Sequence, residues 1–344
     1  MEKDEEAGGW PRETEGTMKA VWIREHGDDP QVLEVRDVPR PRPERGEVRI
    51  RVQGAGFNRA DLLQRRGLYP PPEGWPARIP GLEFAGVVDE VGPGTNLRQP
   101  GDPVMGVVGG GGQAEYVVLP ERETLRTPNG MSPSEAAAIP EVFVTAWDAL
   151  ERRLGVRPGE RVLIHAVGSG VGTAALQLAA MAGARTLGTS RNPEKLERAG
   201  DLGLHLGVPG ADGWDQTVLE ATNGEGVDAV LDLVGGDYLE GNQKVLAKGG
   251  RVVIVGVPGG TRATLNLRSL MASRATITGT VLRARPPEEK AALARDFEAR
   301  VIPAFEDRRL RPVLERTLSP QEAAEGHRLL EANRTFGKVV LRWE

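Results

Sequence analysis

The chain has 344 residues, 39% hydrophobic and 27% charged, with a formal net charge of −5. That is enough chain for two ordinary soluble domains, and the charge gives no general reason to bind nucleic acid. Cysteine is absent, which excludes disulfides, thiolate metal sites, iron–sulfur clusters and a cysteine nucleophile.

The cysteine-free composition suits a reducing, cytoplasmic setting, and no apolar run is long enough to span a bilayer. Residues 1–17, MEKDEEAGGWPRETEGT, are acidic and lack an apolar core, so they read as a disordered tail rather than a signal peptide. From Met18 to about Arg126 short β segments follow, separated by Gly/Pro turns: AVWI, EVRIRVQGAGF, EFAGVVDEVG, DPVMGVV and AEYVVLP. The alternation Val48-Arg49-Ile50-Arg51-Val52 predicts a strand with one wet face. Ser132-Pro133-Ser134-Glu135 is a helix start, with Ser132 as N-cap and Pro133 at the first helical position.

Near Pro140 the pattern changes. The helical VTAWDALERRL is followed by short Val/Ile/Leu-rich strands alternating with helices: RVLIHAV, GVGTAALQLAAMAG, RTLGTS, NPEKLERAGDLG, VDAVLDLVG, LEGNQKVLAKGG, RVVIVGV and ATITGTVL. Such continuous apolar runs predict strands buried on both faces of a parallel sheet. The βαβα order makes residues 141–281 an α/β domain of Rossmann type, with a doubly wound parallel sheet. Two more helical segments and a closing strand, KVVLRW, occupy 282–344. We assign that tail to the first domain, 18–140, which makes the nucleotide domain an insertion.

Gly168-Ser169-Gly170-Val171-Gly172 joins the first strand of the insertion to its helix. Glycines there let the backbone approach a pyrophosphate, and the helix N-terminus offers free N–H groups. A glycine-rich turn that binds nothing is the competing reading, and the surrounding strand–turn–helix–strand unit weighs against it. The second strand ends in Ser190-Arg191-Asn192, where an NAD site usually carries a carboxylate for the ribose 2′-hydroxyl. A hydroxyl, a guanidinium and Lys195 one turn further on suit a 2′-phosphate, so the cofactor expected is NADP(H). Arg191 could otherwise be a solvated neighbour of a helix cap.

The motifs NRADLLQRRGLYPPP, GLEFAGVVDEVGPG, GGGGQAEYVVLP, AAAIPEVFVTAWDAL, HAVGSGVGTAALQLA, VDAVLDLVGGDYLE, GGRVVIVGVPGG and TVLRARPPEEKAAL span nearly all of 18–344. In these motifs the chain resembles the medium-chain dehydrogenase/reductase superfamily. Within it, the resemblance is to the zinc-independent quinone oxidoreductase (zeta-crystallin-like) family, on its tumour-suppressor-inducible branch. The resemblance implies a mostly-β GroES-like catalytic domain around the Rossmann domain, with the reaction in a cleft between them. It also implies a homodimer, with the strand near ATITGTVL extending the sheet across a twofold axis.

Zinc alcohol dehydrogenases of that superfamily place cysteine where Asn58 stands and histidine where Leu82 precedes Glu83. Leu82 cannot bind a metal, and Asn58 is an amide rather than a soft ligand, so the resemblance implies a metal-free site. It implies that Asn58, Asp61 and Tyr69 lie near the nicotinamide and substrate. Tyr69 and Asn58 would act as hydrogen-bond donors and Asp61 would orient its neighbours; the competing reading is that Asn58 and Asp61 start a helix. Thr145, Val234, Gly235, Val255, Gly256 and Leu282 would line the cofactor, and Lys338 would be a phosphate contact or else an ordinary surface lysine. His165 reads as a buried strand-end residue, and His26, His205 and His327 are too scattered for a metal cluster or a triad. Relatives often carry a tyrosine near the 2′-phosphate where this chain reads LGVPGADGWDQ. The implied activity is NADPH-dependent reduction of a quinone, a small electron-poor acceptor that needs no Lewis acid. The alternatives are NADPH-dependent reduction of activated alkenes and a non-catalytic, crystallin-like NADPH-binding role.

Overall fold

A computed structural model of the chain describes residues 13–210, 212–236 and 238–343. It divides into two compact units, one from Thr145 to Val281 and the other formed by the chain before and after it.

In the first unit, β1 (Thr14–Ile23) pairs antiparallel with β2 (Leu33–Pro41). The strand begins four residues before Met18, inside the stretch expected to be a disordered tail; residues 1–12 of that stretch lie outside the described residues. The reason is Glu15, whose carboxylate takes ion pairs from Arg40, Arg42 and Arg49. Arg49 is buried, bonded also to Asp89 and Glu90, so the alternating strand has only Arg51 fully wet and not a whole polar face.

β3 (Glu47–Gly56), β4 (Glu83–Val91), β5 (Pro103–Val107) and β7 (Thr124–Arg126) run in antiparallel order, with β6 (Tyr116–Pro120) also on β3. β15 (Lys338–Arg342) joins β3 from the far end of the chain, and β14 (Leu314–Leu318) lies parallel to β15. Val48, Ile50, Val52, Phe84, Val117, Leu119, Val339 and Leu341 form the shared core. Each such side chain contributes about 1.5–3 kcal/mol on burial, which fixes the C-terminal strand to β3. Helix α1 (Arg59–Arg65) follows β3; α2 (Pro133–Ala136) starts on Ser132 in a capping box with Glu135, and α3 (Pro140–Trp147) comes next. The expected C-terminal helix breaks at Val301 into α9 (Pro287–Arg300) and α10 (Ile302–Glu306), where Pro303 cannot donate, and α11 (Ala323–Glu331) precedes β15.

The second unit is one parallel sheet in the order β10-β9-β8-β11-β12-β13. Its strands are β8 (Arg161–Ile164), β9 (Arg185–Ser190), β10 (Leu206–Pro209), β11 (Val227–Asp232), β12 (Leu246–Ile254) and β13 (Thr276–Gly279). Helices α4 (Gly170–Met181), α5 (Pro193–Gly200), α6 (Trp214–Ala221), α7 (Tyr238–Val245) and α8 (Leu267–Ser273) connect them. β8 has β9 on one side and β11 on the other, so the strand order reverses there, the place where such sheets bind ligands.

Candidate active site

In the first unit a group of ionisable side chains is enclosed where β3, α1, β4, α3 and β15 meet. Glu83, first residue of β4, is fully buried. Its Oε1 accepts from Asn58 Nδ2 at 2.8 Å and lies 2.6 Å from Lys338 Nζ, while Oε2 accepts the Glu141 backbone N–H at 2.8 Å. Gly56 makes room for this carboxylate, since a Cβ there would stand 2.1 Å from Glu83 Oε1. Lys338 Nζ donates to Phe57 O (2.6 Å) and Asn58 Oδ1 (2.8 Å) besides pairing with Glu83.

Asp61 accepts the backbone N–H of Asn58 at 2.8 Å and of Gly81 at 3.1 Å, which anchors the start of α1 to the loop before β4. Burial pushes its carboxyl up to about 6, against the pull of those two N–H groups, Lys338 and Arg283. Burial, and then the neighbouring Glu83 carboxylate, push Glu141 up to about 8. Arg283 is buried too. It donates to Gly109 O (2.7 Å), Gln64 Oε1 (2.9 Å) and Tyr69 O (3.1 Å), and its guanidinium carbon lies 4.6 Å from the Tyr69 ring centre. That contact holds Tyr69 against a fixed cation.

In the second unit the glycine turn, Ser190-Arg191, Val234-Gly235 and Val255-Gly256 follow the carboxyl ends of four adjacent strands, β8, β9, β11 and β12. Ser169 caps α4 by accepting the Gly172 N–H at 3.1 Å. A Cβ on Gly172 would meet Ala166 O at 2.5 Å, so glycine is what lets the helix start this close to the strand end. Ala166 itself has φ 48°, a conformation costly for a residue with a side chain. The turn therefore fits a pyrophosphate cradle: a helix N-terminus reached through a glycine turn, with Gly172 packed too close to the strand end for a side chain.

The loop after β11 is held from below. Asp232 Oδ1 accepts from Val234 N and Gly235 N, both at 2.8 Å, and Oδ2 accepts from Asn242 Nδ2 at 2.9 Å. Asn242 Oδ1 accepts from His165 Nε2 at 2.7 Å, which leaves His165 Nδ1 to accept the Thr189 hydroxyl at 2.9 Å. Burial holds His165 below its ordinary range, so the ring is the neutral link in this chain. At the end of β9, Ser190 Oγ accepts the Asn192 N–H, and Arg191 is exposed with no salt bridge among the described residues. Tyr238, at the start of α7, donates to Gly210 O at 3.1 Å, and Gly210 N donates to Ser190 O at 2.8 Å. A tyrosine thus reaches the Ser190 loop, from a different element than the one the sequence comparison looks to.

Asn58, Asp61 and Lys338 are brought together, and Tyr69 is joined to α1 through Arg283. Two expected roles need correction. Lys338 is neither a phosphate contact nor a surface lysine: it is buried, and its three N–H donors meet Phe57, Asn58 and Glu83. Asn58 is not a free donor, because its Nδ2 donates to Glu83 Oε1 and to Gly56 O, while its Oδ1 accepts from Lys338. Leu282 is buried in the first unit beside a cavity of about 40 Å³, lined also by Val107, Glu123, Val144 and Lys290. Thr145 is buried within α3, and Lys195 is half-buried on α5. The sequence reading missed Glu141, Arg283, Asp232 and Asn242. The available signal was a charge or amide isolated in an apolar stretch, as in TVLRAR and VLDLVG.

The chain matches the alcohol dehydrogenase GroES-like domain family over residues 44–129 and the zinc-binding dehydrogenase family over residues 170–299. It is 31% identical over 328 residues to a quinone oxidoreductase of Lama guanicoe, covering 94% of this chain and 97% of that one. It is 33% identical over 333 residues to the pikromycin polyketide synthase component PikAII of Streptomyces venezuelae. That alignment covers 94% of this chain but spans only 8% of the synthase. Among solved structures, an NAD-dependent alcohol dehydrogenase superposes with a TM-score of 0.84 at 37% identity, over 95% of this chain and 100% of that one. The CurK enoyl reductase gives 0.83 at 27% identity, over 95% and 99%. A mycobacterial protein complexed with NADPH gives 0.84 at 28% identity, over 95% and 100%. With both domain families, the whole-length relative and these folds in agreement, the chain belongs to the medium-chain dehydrogenase/reductase superfamily of oxidoreductases.

Proposed function

We propose that the chain is an NADPH-dependent quinone reductase that works without a metal. The observation that carries this reading is the placement of Lys338. Its ammonium takes up Asn58 Oδ1 and Glu83 Oε1, so the positive charge at this site is a side chain and not a Lewis acid open to substrate. A quinone is electron-poor enough to be reduced without carbonyl polarisation by a metal. Bound NADPH supplies the hydride.

The chain's own residues bind and orient. The glycine turn Gly168–Gly172 and the start of α4 receive the pyrophosphate, and the Asp232-held amides of Val234 and Gly235 fix the neighbouring loop. Val255-Gly256 follows the next strand end, while Thr145 and Leu282 are assigned to the nicotinamide end. Ser190 and Arg191, with Lys195 one turn on, receive the 2′-phosphate. Tyr69, held by Arg283, donates to the oxygen that gains charge in the acceptor. Asn58 and Asp61 keep the start of α1 in place. The whole-length similarity to a quinone oxidoreductase supports the acceptor class.

The partner assigned is a second copy of the chain, seated on the edge strand β13, where Val257, Leu265, Leu267, Met271 and Val281 are exposed. A second reading, reduction of activated alkenes, is favoured by the similarity to the CurK enoyl reductase. Parallel assays of NADPH and NADH oxidation with ortho-quinones and with 2-enoyl thioesters separate the two. Quinone turnover with NADPH well above the other three combinations is expected; turnover of the thioester alone would overturn the quinone assignment.

A further inference from the structure

Asp61, Glu83, Glu141, Lys338 and Arg283 influence one another as one charge cluster: Glu83, Lys338, Asp61 and Arg283 all act on the Glu141 carboxyl. Three are carboxyls and two are cations. The cluster is therefore neutral only when one carboxyl carries a proton, and a net charge in a buried site is strongly disfavoured.

The hydrogen bonds show which carboxyl that is. The oxygens of two carboxyls are already taken up by donors: Asp61 accepts two backbone N–H groups, and Glu83 accepts from Asn58, Lys338 and the Glu141 backbone. The Glu141 carboxyl makes no hydrogen bond or ion pair among the described residues. It also belongs to the one member of the five that is half-buried; the other four are closed off.

We propose that these five residues form a proton-holding unit, and that Glu141 carries the proton and releases it when the acceptor is reduced. The inference rests on the reading of the chain as a reductase. Two-electron reduction of a quinone adds a hydride, which the cofactor supplies, and one proton. The O–H bond of the Glu141 carboxyl breaks, and an O–H bond forms on the oxyanion of the reduced acceptor, directly or through the Tyr69 hydroxyl. Glu141 is left as a carboxylate facing Lys338 and Arg283 and regains its proton from solvent. Its burial and the Glu83 charge make the protonated form the resting one near neutral pH.

Infrared spectroscopy of the protein alone, without cofactor or acceptor, reads this directly. At pH 7 the wild type should show the carbonyl stretch of a protonated carboxylic acid, fading as pH rises through about 8. The band should be missing in Glu141→Gln and kept in Glu123→Gln, which removes a carboxyl outside the cluster that burial also pushes up. In steady-state assays Glu141→Gln should lose the alkaline limb of the kcat profile and turn over roughly tenfold to a hundredfold more slowly, the general-acid contribution. Absence of the band in wild type, or an unchanged band in Glu141→Gln, overturns the inference whatever the enzyme reduces. A band that behaves as stated with no turnover of any acceptor would instead sink the reductase reading. A slower Glu141→Gln with an unchanged pH profile would reduce Glu141 to a structural role.

Discussion

The Lys338 ammonium lies 2.6 Å from Glu83 Oε1, with both side chains cut off from solvent, and Asn58 bridges the two through its amide. Sequence separates these groups widely; the β3–β15 pairing brings them together. Removing one partner of such a pair leaves the other charge buried and uncompensated. Lys338→Met should therefore destabilise the protein by about 3–5 kcal/mol, read as a lowered urea midpoint. Combining it with Glu83→Leu should cost less than the two single changes added together, because the double variant buries no lone charge. Strict additivity would mean that the two groups are not coupled.

The pH dependence of stability should carry two opposed contributions. The Asp61 carboxyl is raised from 3.8 to about 6, first by burial, so the folded state binds its proton more tightly than the unfolded chain does. That contribution is fully present below about pH 4 and is lost as pH rises through about 6. His327 behaves in the opposite sense. It is lowered from 6.5 to about 3 by burial and by Arg65 and Arg66, and its Nδ1 accepts from Arg65 Nη1 at 3.2 Å. Its stabilisation is present above about 6.5 and is lost as pH falls toward about 3. Asp61→Asn should make the decline between pH 4 and 6 shallower, leaving the part that Glu141, raised from 4.5 to about 8, contributes in the same sense, and His327→Gln should flatten the acid limb. Denaturation midpoints across pH 3–8 check both, and a profile unchanged in either variant would refute that assignment.

The Rossmann unit was legible because its signals are local. A run such as RVLIHAV announces a buried parallel strand, and Gly168–Gly172 announces the turn, each within a few residues. The Ser132 helix start was legible for the same reason. The polar site was not, because its logic lies between distant segments. Nothing near Lys338 says that three acceptors from Phe57, Asn58 and Glu83 await it, and a lysine opening an edge-like strand reads as solvated. Arg49 was misread in the same way, since its partners lie in β4 and at the start of β1, in a segment whose composition suggests a tail. Alternation reports which face a side chain takes, and not whether another charge covers that face.

Cofactor preference should turn on Arg191. It is exposed at the end of β9 with no salt bridge among the described residues, so its fork is available to an incoming phosphate. Arg191→Glu would replace attraction by repulsion at the 2′ position and leave the pyrophosphate turn untouched. NADPH affinity should fall by at least about tenfold, the equivalent of one modest charge-assisted contact, while NADH affinity should be unchanged or improved. Fluorescence titration with both nucleotides measures this. Equal losses for the two would place Arg191 away from the 2′-phosphate.

Assembly should depend on α8 and β13. No residue of α8 is buried, and Leu267 and Met271 are 63% and 74% exposed beside β13, whose only sheet neighbour among the described residues is β12. An open strand edge flanked by apolar side chains is a template for another chain, and proteins that leave one uncovered usually protect it with charge or proline. Here β13 reads Thr-Ile-Thr-Gly and carries neither. A second copy pairing along this edge would remove both the free amides and the apolar surface from water. The double variant Leu267→Glu/Met271→Glu would set like charges against each other across a twofold, since an isologous contact repeats every substitution. In light-scattering measurements the wild type should have twice the monomer mass and the variant the monomer mass, with the same circular dichroism spectrum. A monomeric wild type, or a dimer indifferent to the two glutamates, would exclude this face as the interface.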